Sequence, residues 1–229
     1  MRFTAYALVA LLLAAPEAAA QKETENVDRT IPMAAGGTLE LKNFSGDVKI
    51  TGTAGSNVVI HATRRATRER LDNIKLDISV SGSTVKIEAN KRNSDWHEKN
   101  ENVVETAFDI QVPAGTRLDV NAFSSELTIA DTTGPIQAQT FSGGIHIDLT
   151  RAGELPEVTA ETFSGDIKAR VADGRSGRVV FNTFSGDLRS DLPLILHEGS
   201  RRSMTGDLGS GGGASLRFKT FSGDVRVVR

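Results

Sequence analysis

Cysteine is absent from the 229-residue chain, which excludes disulfides, thiol nucleophiles, cysteine-ligated metals and a lipid-bearing N-terminal cysteine. Aromatic residues are scarce, with ten Phe but a single Trp and a single Tyr, so there is little to stack against sugar rings. Neither sign of charge dominates. Lys and Arg number 27 against 29 Asp and Glu, a net charge of -2, and removing the leader residues Arg2 and Glu17 leaves it unchanged. That balance removes the electrostatic case for nucleic-acid binding. After the first twenty residues no apolar run reaches 18, which excludes a multi-pass membrane protein. The 38% hydrophobic content and 22 glycines exclude collagen and disorder throughout. The length suffices for one large domain or two small ones with a sizeable core.

The N-terminus reads as an export signal. Met1 and Arg2 precede an apolar stretch from Phe3 to Ala15, followed by Pro16 and the small residues Ala18-Ala19-Ala20 before Gln21. This pattern predicts cleavage after Ala20. Thirteen apolar residues fall short of the roughly 20 needed to span a bilayer as a helix, so the mature chain is expected to have no transmembrane span. The segment 21–35, polar and without periodicity over Gln21 to Thr30, is expected to be a flexible arm.

A repeat organises the remainder, taken as one domain over 36–229 with its clear copies in 118–229. The tetrapeptide Thr-Phe-Ser-Gly occurs at 140–143, 162–165, 183–186 and 220–223, the last three followed by Asp. Looser copies are Asn43-Phe44-Ser45-Gly46-Asp47, Ala122-Phe123-Ser124-Ser125-Glu126 and Ser203-Met204-Thr205-Gly206-Asp207. From Phe123 the Phe or Met positions step by 18, 22, 21, 20 and 17 residues, through Phe141, Phe163, Phe184, Met204 and Phe221. A period near twenty is that of a stacked β-solenoid. Alternating apolar residues flank each copy, as in Ile136, Ala138, Thr140 before it and Ile145, Ile147, Leu149 after it. Each coil therefore holds two short strands with one face buried. Between Phe44 and Phe123, four further alternating segments read as strands, and Lys91 to Glu105, with Trp96, reads as a long loop.

The buried parity shifts between the two strands, so a corner lies at Thr-Phe-Ser-Gly. The expected turn residues are Phe44, Gly46, Asp47, Phe123, Phe141, Gly143, Phe163, Gly165, Asp166, Phe184, Gly186, Asp187, Met204, Gly206, Asp207, Phe221, Gly223 and Asp224. Glycine can take the positive φ of a sharp bend, and Ser and Asp can bond to backbone groups there. With Phe given the parity of the second strand, its rings are expected to form an internal ladder at about 4.8 Å spacing. A Phe163→Ala truncation would then cost about 3 to 5 kcal/mol. The predicted fold is an all-β, single-domain parallel β-solenoid of about 20-residue coils, some 8 to 10 in number at that spacing. The alternative, an array of antiparallel hairpins, would leave the Phe row exposed.

Candidate chemistry is sparse. The Asp column, Asp47, Asp166, Asp187, Asp207 and Asp224, reads as turn capping, with a calcium ladder as the rival. No His-x-His or His-x-x-x-His pair occurs among His61, His97, His146 and His197, and no nucleophile elbow accompanies the serines. Arg64, Arg65, Arg68 and Arg70 form a candidate patch for an anionic partner; the competing reading is a solvated loop. Lys168, Arg189 and Arg226 are expected to line one long outward face.

The leader, the segments Gly37-Thr38-Leu39-Glu40-Leu41-Lys42-Asn43-Phe44-Ser45-Gly46-Asp47-Val48 and Phe108-Asp109-Ile110-Gln111-Val112-Pro113-Ala114-Gly115-Thr116-Arg117-Leu118, and the recurrent Thr-Phe-Ser-Gly-Asp units together resemble the bacterial putative-adhesin family of β-strand-repeat domains. That family is of unknown function, and the resemblance implies an exported envelope protein with a β-solenoid body and no catalytic residues. The expected role is a non-enzymatic scaffold or adhesin, periplasmic or on the cell surface, with an envelope protein or polysaccharide as partner. Alternatives are a polysaccharide lyase or hydrolase on a β-helix and an envelope-stress accessory protein. The final strand, Val225 to Arg229, is expected to leave an edge for end-to-end self-association.

Overall fold

A computed structural model describes residues 22–92 and 103–229. The proposed leader, Trp96 and His97 lie outside the described residues. In chain order, β1 (Glu23–Pro32), β2 (Thr38–Ser45), β3 (Val48–Thr53) and β4 (Asn57–Ala66) precede a short helix, α1 (Arg68–Asn73). Next come β5 (Ile74–Ser81), β6 (Thr84–Arg92) and β7 (Glu105–Pro113). Four strand pairs follow, each joined by a corner: β8 (Arg117–Ser124) with β9 (Leu127–Ala130), β10 (Ile136–Ser142) with β11 (Ile145–Asp148), β12 (Val158–Ser164) with β13 (Ile167–Arg170), and β14 (Gly177–Ser185) with β15 (Leu188–Ser190). The hairpin β16 (Leu194–Ser200) and β17 (Ser203–Leu208) leads to a last pair, β18 (Ser215–Ser222) with β19 (Val225–Val228).

These strands make two sheets around one apolar core. The nine-stranded sheet runs β1-β4-β7-β3-β9-β11-β13-β19-β15, and the ten-stranded sheet β16-β17-β14-β18-β12-β10-β8-β2-β6-β5. Alternation explains the core. In β10 and β11 the residues Ile136, Ala138, Ile145 and Ile147 are buried while their strand neighbours face outward, and the same holds for Val158, Ala160, Ile167 and Ala169 in β12 and β13.

The centre is a parallel stack, as the repeat predicts. Ile136 pairs with Leu118 and Val158, and Ile145 with Leu127 and Ile167, all in register. The hairpin array is thereby excluded for these coils. A uniform solenoid is not what forms, however. Antiparallel pairs close both ends: β1 with β4, β4 with β7 and β5 with β6 at one, β14 with β17 and β16 with β17 at the other. Six coils carry the Phe corner, fewer than the 8 to 10 expected, because the chain between Phe44 and Phe123 is spent largely on the antiparallel cap.

Two further expectations are corrected. Residues 23–32 are no flexible arm; they form β1, an edge strand with ten residues in register against β4. The terminal strand β19 leaves no free edge, since β13 and β15 flank it. The last coil is inserted: β18 lies between β12 and β14. The reason lies in β17, which occupies the other edge of β14 with Phe181 opposite Met204. The returning chain finds its open edge between β12 and β14, where Phe218 aligns with Ala160 on one side and Phe181 on the other. Met204 is therefore a cap residue and no member of the Phe row. Gly206 and Asp207 likewise belong to β17 rather than to a corner.

Candidate functional site

The corner motif assigns a stacking task to each of its residues. Thr faces inward: Thr162 Oγ1 donates to the Gly143 carbonyl at 3.1 Å, Thr220 Oγ1 to the Gly165 carbonyl at 3.3 Å, and Thr140 Oγ1 to the Ser125 carbonyl at 3.4 Å. In the first coil Asn43 takes this place and donates to the Gly46 and Thr106 carbonyls. Glycine makes the bend. Gly165 and Gly223 have φ of 154° and 153°, and a Cβ on them would lie 2.2 Å and 2.0 Å from the carbonyl oxygen of the preceding rung. The acid ties the other side, since Asp166 accepts from the Asp224 N–H at 2.9 Å and Asp224 from the Asp187 N–H at 3.1 Å.

Asp166 and Asp224 thus tie one rung to the next rather than capping their own turns. Asp166, Asp224 and Asp187 are neighbours in that order. Glu126 and the side-chain-free Gly144 separate Asp47 from them, and Asp207 lies elsewhere, bonded to His197 at 2.6 Å. Among the described residues no group of three or more His, Asp or Glu is placed to hold a metal ion. Glu126 reaches the Gly144 N–H at 2.8 Å and His146 at 2.5 Å, which explains a glycine after Gly143: a side chain there would meet the Glu126 carboxylate.

The Phe residues form a ladder, but it is external. Phe44, Phe123, Phe141, Phe163, Phe221 and Phe184 stack in that order with centroids 4.6 to 4.9 Å apart and planes within 13°. Each ring is between 41% and 56% exposed. The expectation of an internal column fails because the bend absorbs the parity shift at the glycine, after Phe rather than before it. Phe continues the outward alternation of the first strand. The rings offset their exposure by covering one another's faces, so mainly edges meet water. Arg202 closes the end, 5.1 Å above the Phe184 ring.

Beside this ridge runs a parallel polar row, two residues earlier in each strand: Gln139, Glu161, Lys219 and Asn182 in consecutive coils. Ridge and row flank a groove of about 500 Å³ whose floor is Thr140, Thr162, Thr220 and Thr183, with Arg202 at its end. No local spacing shows this groove, because it needs the out-of-order coil that brings Lys219 and Phe221 between the rungs of 163 and 184.

On the other sheet Lys168, Arg226 and Arg189 do occupy consecutive rungs. The corner acids Asp166, Asp224 and Asp187 run alongside, and Arg226 sits 3.9 and 3.7 Å from Asp166 and Asp224. The cationic row is therefore locally compensated. The arginine cluster is dispersed. Arg64 is buried, bonded to Glu25 at 2.9 Å and to the Ile74 carbonyl. Arg68 lies in α1 with Asp72 at 3.0 Å and Glu23 at 3.9 Å. Arg65 is exposed opposite Thr24 on β1, and Arg70 lies in the last turn of the helix. With Arg64 inside, the four do not share a solvent-facing surface.

Each described histidine meets a carboxylate, the third being His61 with Asp28 at 2.6 Å. The His197 hydrogen bond, with smaller help from Arg178, holds the Asp207 carboxyl below its ordinary range. At Asp148 partial burial pushes upward, but hydrogen bonds from Thr150 with Arg170 and Arg151 nearby outweigh it and the net shift is downward.

The family model Toastrack DUF4097 matches residues 21–228. The chain belongs to the Toastrack family. A structure from Clostridium sporogenes described as a putative cell adhesion protein shares the Toastrack fold seen here, at a TM-score of 0.66 and 8% identity over 90% of this chain and 99% of its own. A putative adhesin from Bacteroides fragilis aligns over 89% of this chain and 97% of its own with 9% identity, at a TM-score of 0.33. No curated protein matches the sequence. The resemblance drawn from the repeat is thus upheld. Among the described residues no helix is long and apolar enough to cross a membrane.

Proposed function

We propose that this protein is an exported, non-enzymatic component of the bacterial cell envelope, a scaffold or adhesin that meets its partner through the outward face of the ten-stranded sheet. One observation carries the reading: six Phe side chains, each roughly half exposed, stand in a continuous row on that face. Contiguous exposed apolar surface of this kind marks interaction sites on soluble proteins. The row lies outside the apolar core, although stacking of ring on ring gives it a share in stability. The nine-stranded sheet supports the role less well, since its Lys168, Arg226 and Arg189 row is balanced by adjacent acids. The description of the Clostridium sporogenes structure as a putative cell adhesion protein agrees with a binding role.

The test is retention on isolated cell envelopes together with cell fractionation. The wild-type protein is expected in the envelope fraction and should sediment with added envelopes. A Phe141→Ser/Phe163→Ser variant, shown to be folded by circular dichroism, should sediment less. Equal retention of the two, or recovery of the native protein from the cytoplasm, would refute the proposal.

A further inference from the structure

We propose that the groove beside the Phe ridge is a binding site for a linear, uncharged, β-1,4-linked glycan, whose sugar rings lie along the stack axis at about one ring per rung. The inference deepens the envelope-surface reading and rests on it.

Four features of the groove point to this class of ligand. Its backbone floor is internal to the sheet, with β10, β12, β18 and β14 all paired on both edges. A peptide strand therefore has no free N–H or C=O row to join, which removes strand addition as a mode of capture. Recognition falls to side chains. Those side chains are amides and a self-neutralising pair: Gln139, Asn182, and Glu161 with Lys219 at 3.5 Å. Such a row offers donors and acceptors to hydroxyl groups with no net charge of its own, and Arg202 adds a positive charge only at the Phe184 end. Among the described residues the Gln139 side chain has no hydrogen-bond partner, and Asn182 uses its carbonyl oxygen for the Ser203 hydroxyl, which leaves its NH2 group for a ligand.

The opposite wall is apolar but presents ring edges, because neighbouring rings occupy each other's faces at 4.8 and 4.6 Å. Ring edges carry the positive end of the aromatic quadrupole. They suit the oxygen-bearing edges of a sugar ring held on its side. An acyl chain would leave the polar row unpaired. The rung spacing of 4.6 to 4.8 Å is slightly shorter than the advance of an extended β-1,4-linked chain per ring. The mismatch accumulates, so only a few consecutive rings can stay in register. Arg202 also blocks the groove at the Phe184 end. A short run of sugars, close to the four rungs of the groove, is the expected footprint.

Isothermal titration of the full mature chain with β-1,4-linked oligomers of N-acetylglucosamine and of glucose, from two to six rings, tests this. Affinity is expected to rise from the disaccharide to the tetrasaccharide and then level off. The variant Gln139→Ala/Lys219→Ala changes two surface side chains and should retain the wild-type melting temperature while binding about tenfold or more weakly, as expected for the loss of one or two hydrogen bonds. Absence of saturable binding to every oligomer, unchanged affinity in the double variant, or tighter binding of an oligogalacturonate would each overturn the assignment. If envelope retention still depends on Phe141 and Phe163 while no oligomer binds, the glycan assignment falls and the surface reading survives; if both fail, the face has no such role.

Discussion

Phe163 and Phe181 sit 18 positions apart on repeats that are consecutive in the sequence, and their truncation should separate an external ladder from a core. Phe181 is fully buried and Phe163 is 45% exposed. A fully buried Phe removes about 150 to 250 Å² from water, so Phe163 withdraws roughly 100 Å². At about 25 cal/mol/Å² that burial corresponds to ~2.5 kcal/mol, of which an alanine retains a small part. The hole left by Phe163→Ala opens to solvent, and no cavity penalty is added. A loss of about 2 kcal/mol is expected, including the stacking on Phe141 and Phe221. Phe181→Ala leaves an enclosed void between Phe218 and Met204 and should cost about 3 to 5 kcal/mol. Urea titrations followed by far-ultraviolet circular dichroism measure both, with stability read from the midpoint at unchanged slope. A Phe163→Ala loss equal to or larger than that of Phe181→Ala would refute the external placement of the ring.

Other consequences follow from the corner and the inserted coil. Gly223→Ala places a methyl 2.0 Å from the Gly165 carbonyl at a backbone angle unfavourable to L residues; a loss above about 3 kcal/mol is expected in the same titration. Thr162→Val should cost about 1 kcal/mol through its lost hydrogen bond. Thr183→Val should be neutral or slightly stabilising in thermal melts, since the Thr183 hydroxyl is buried without a partner. Deleting residues 215–229 removes the coil between β12 and β14, and calorimetry should show the single main transition replaced by a broad or much lower one. The carboxyls of Asp148 and Asp207 titrate lower in the folded than in the unfolded chain. Their stabilisation is therefore complete above the ordinary carboxylate range near pH 4 and disappears as pH falls through the depressed folded values. Melting temperature should drop on that acid limb, and less steeply in Asp148→Asn.

Local spacing alone determined much of this protein. A recurring Thr-Phe-Ser-Gly-Asp with alternating apolar flanks requires short strands, a glycine bend and a repeating coil, because only such a chain buries Ile145 and Ile147 on one side of the corner and Ile136 and Ala138 on the other. The side on which Phe falls was another matter. It depends on which residue takes up the bend, and the carbonyl of the neighbouring rung, pressed against Gly165 and Gly223, decides that it is the glycine. Neighbour order was equally beyond local reading. The coil of Phe221 sits between those of Phe163 and Phe184, with the β16–β17 hairpin covering the far edge of β14. Strand β1 likewise carries little apolar pattern of its own and becomes a strand by pairing with β4, and Arg64, one of the four arginines between positions 64 and 70, goes inside because Glu25 on β1 and the Ile74 carbonyl meet it there. Sequence set the coil; the contacts between coils, made by residues far apart along the chain, decided the ladder, the groove and the faces on which a partner can act.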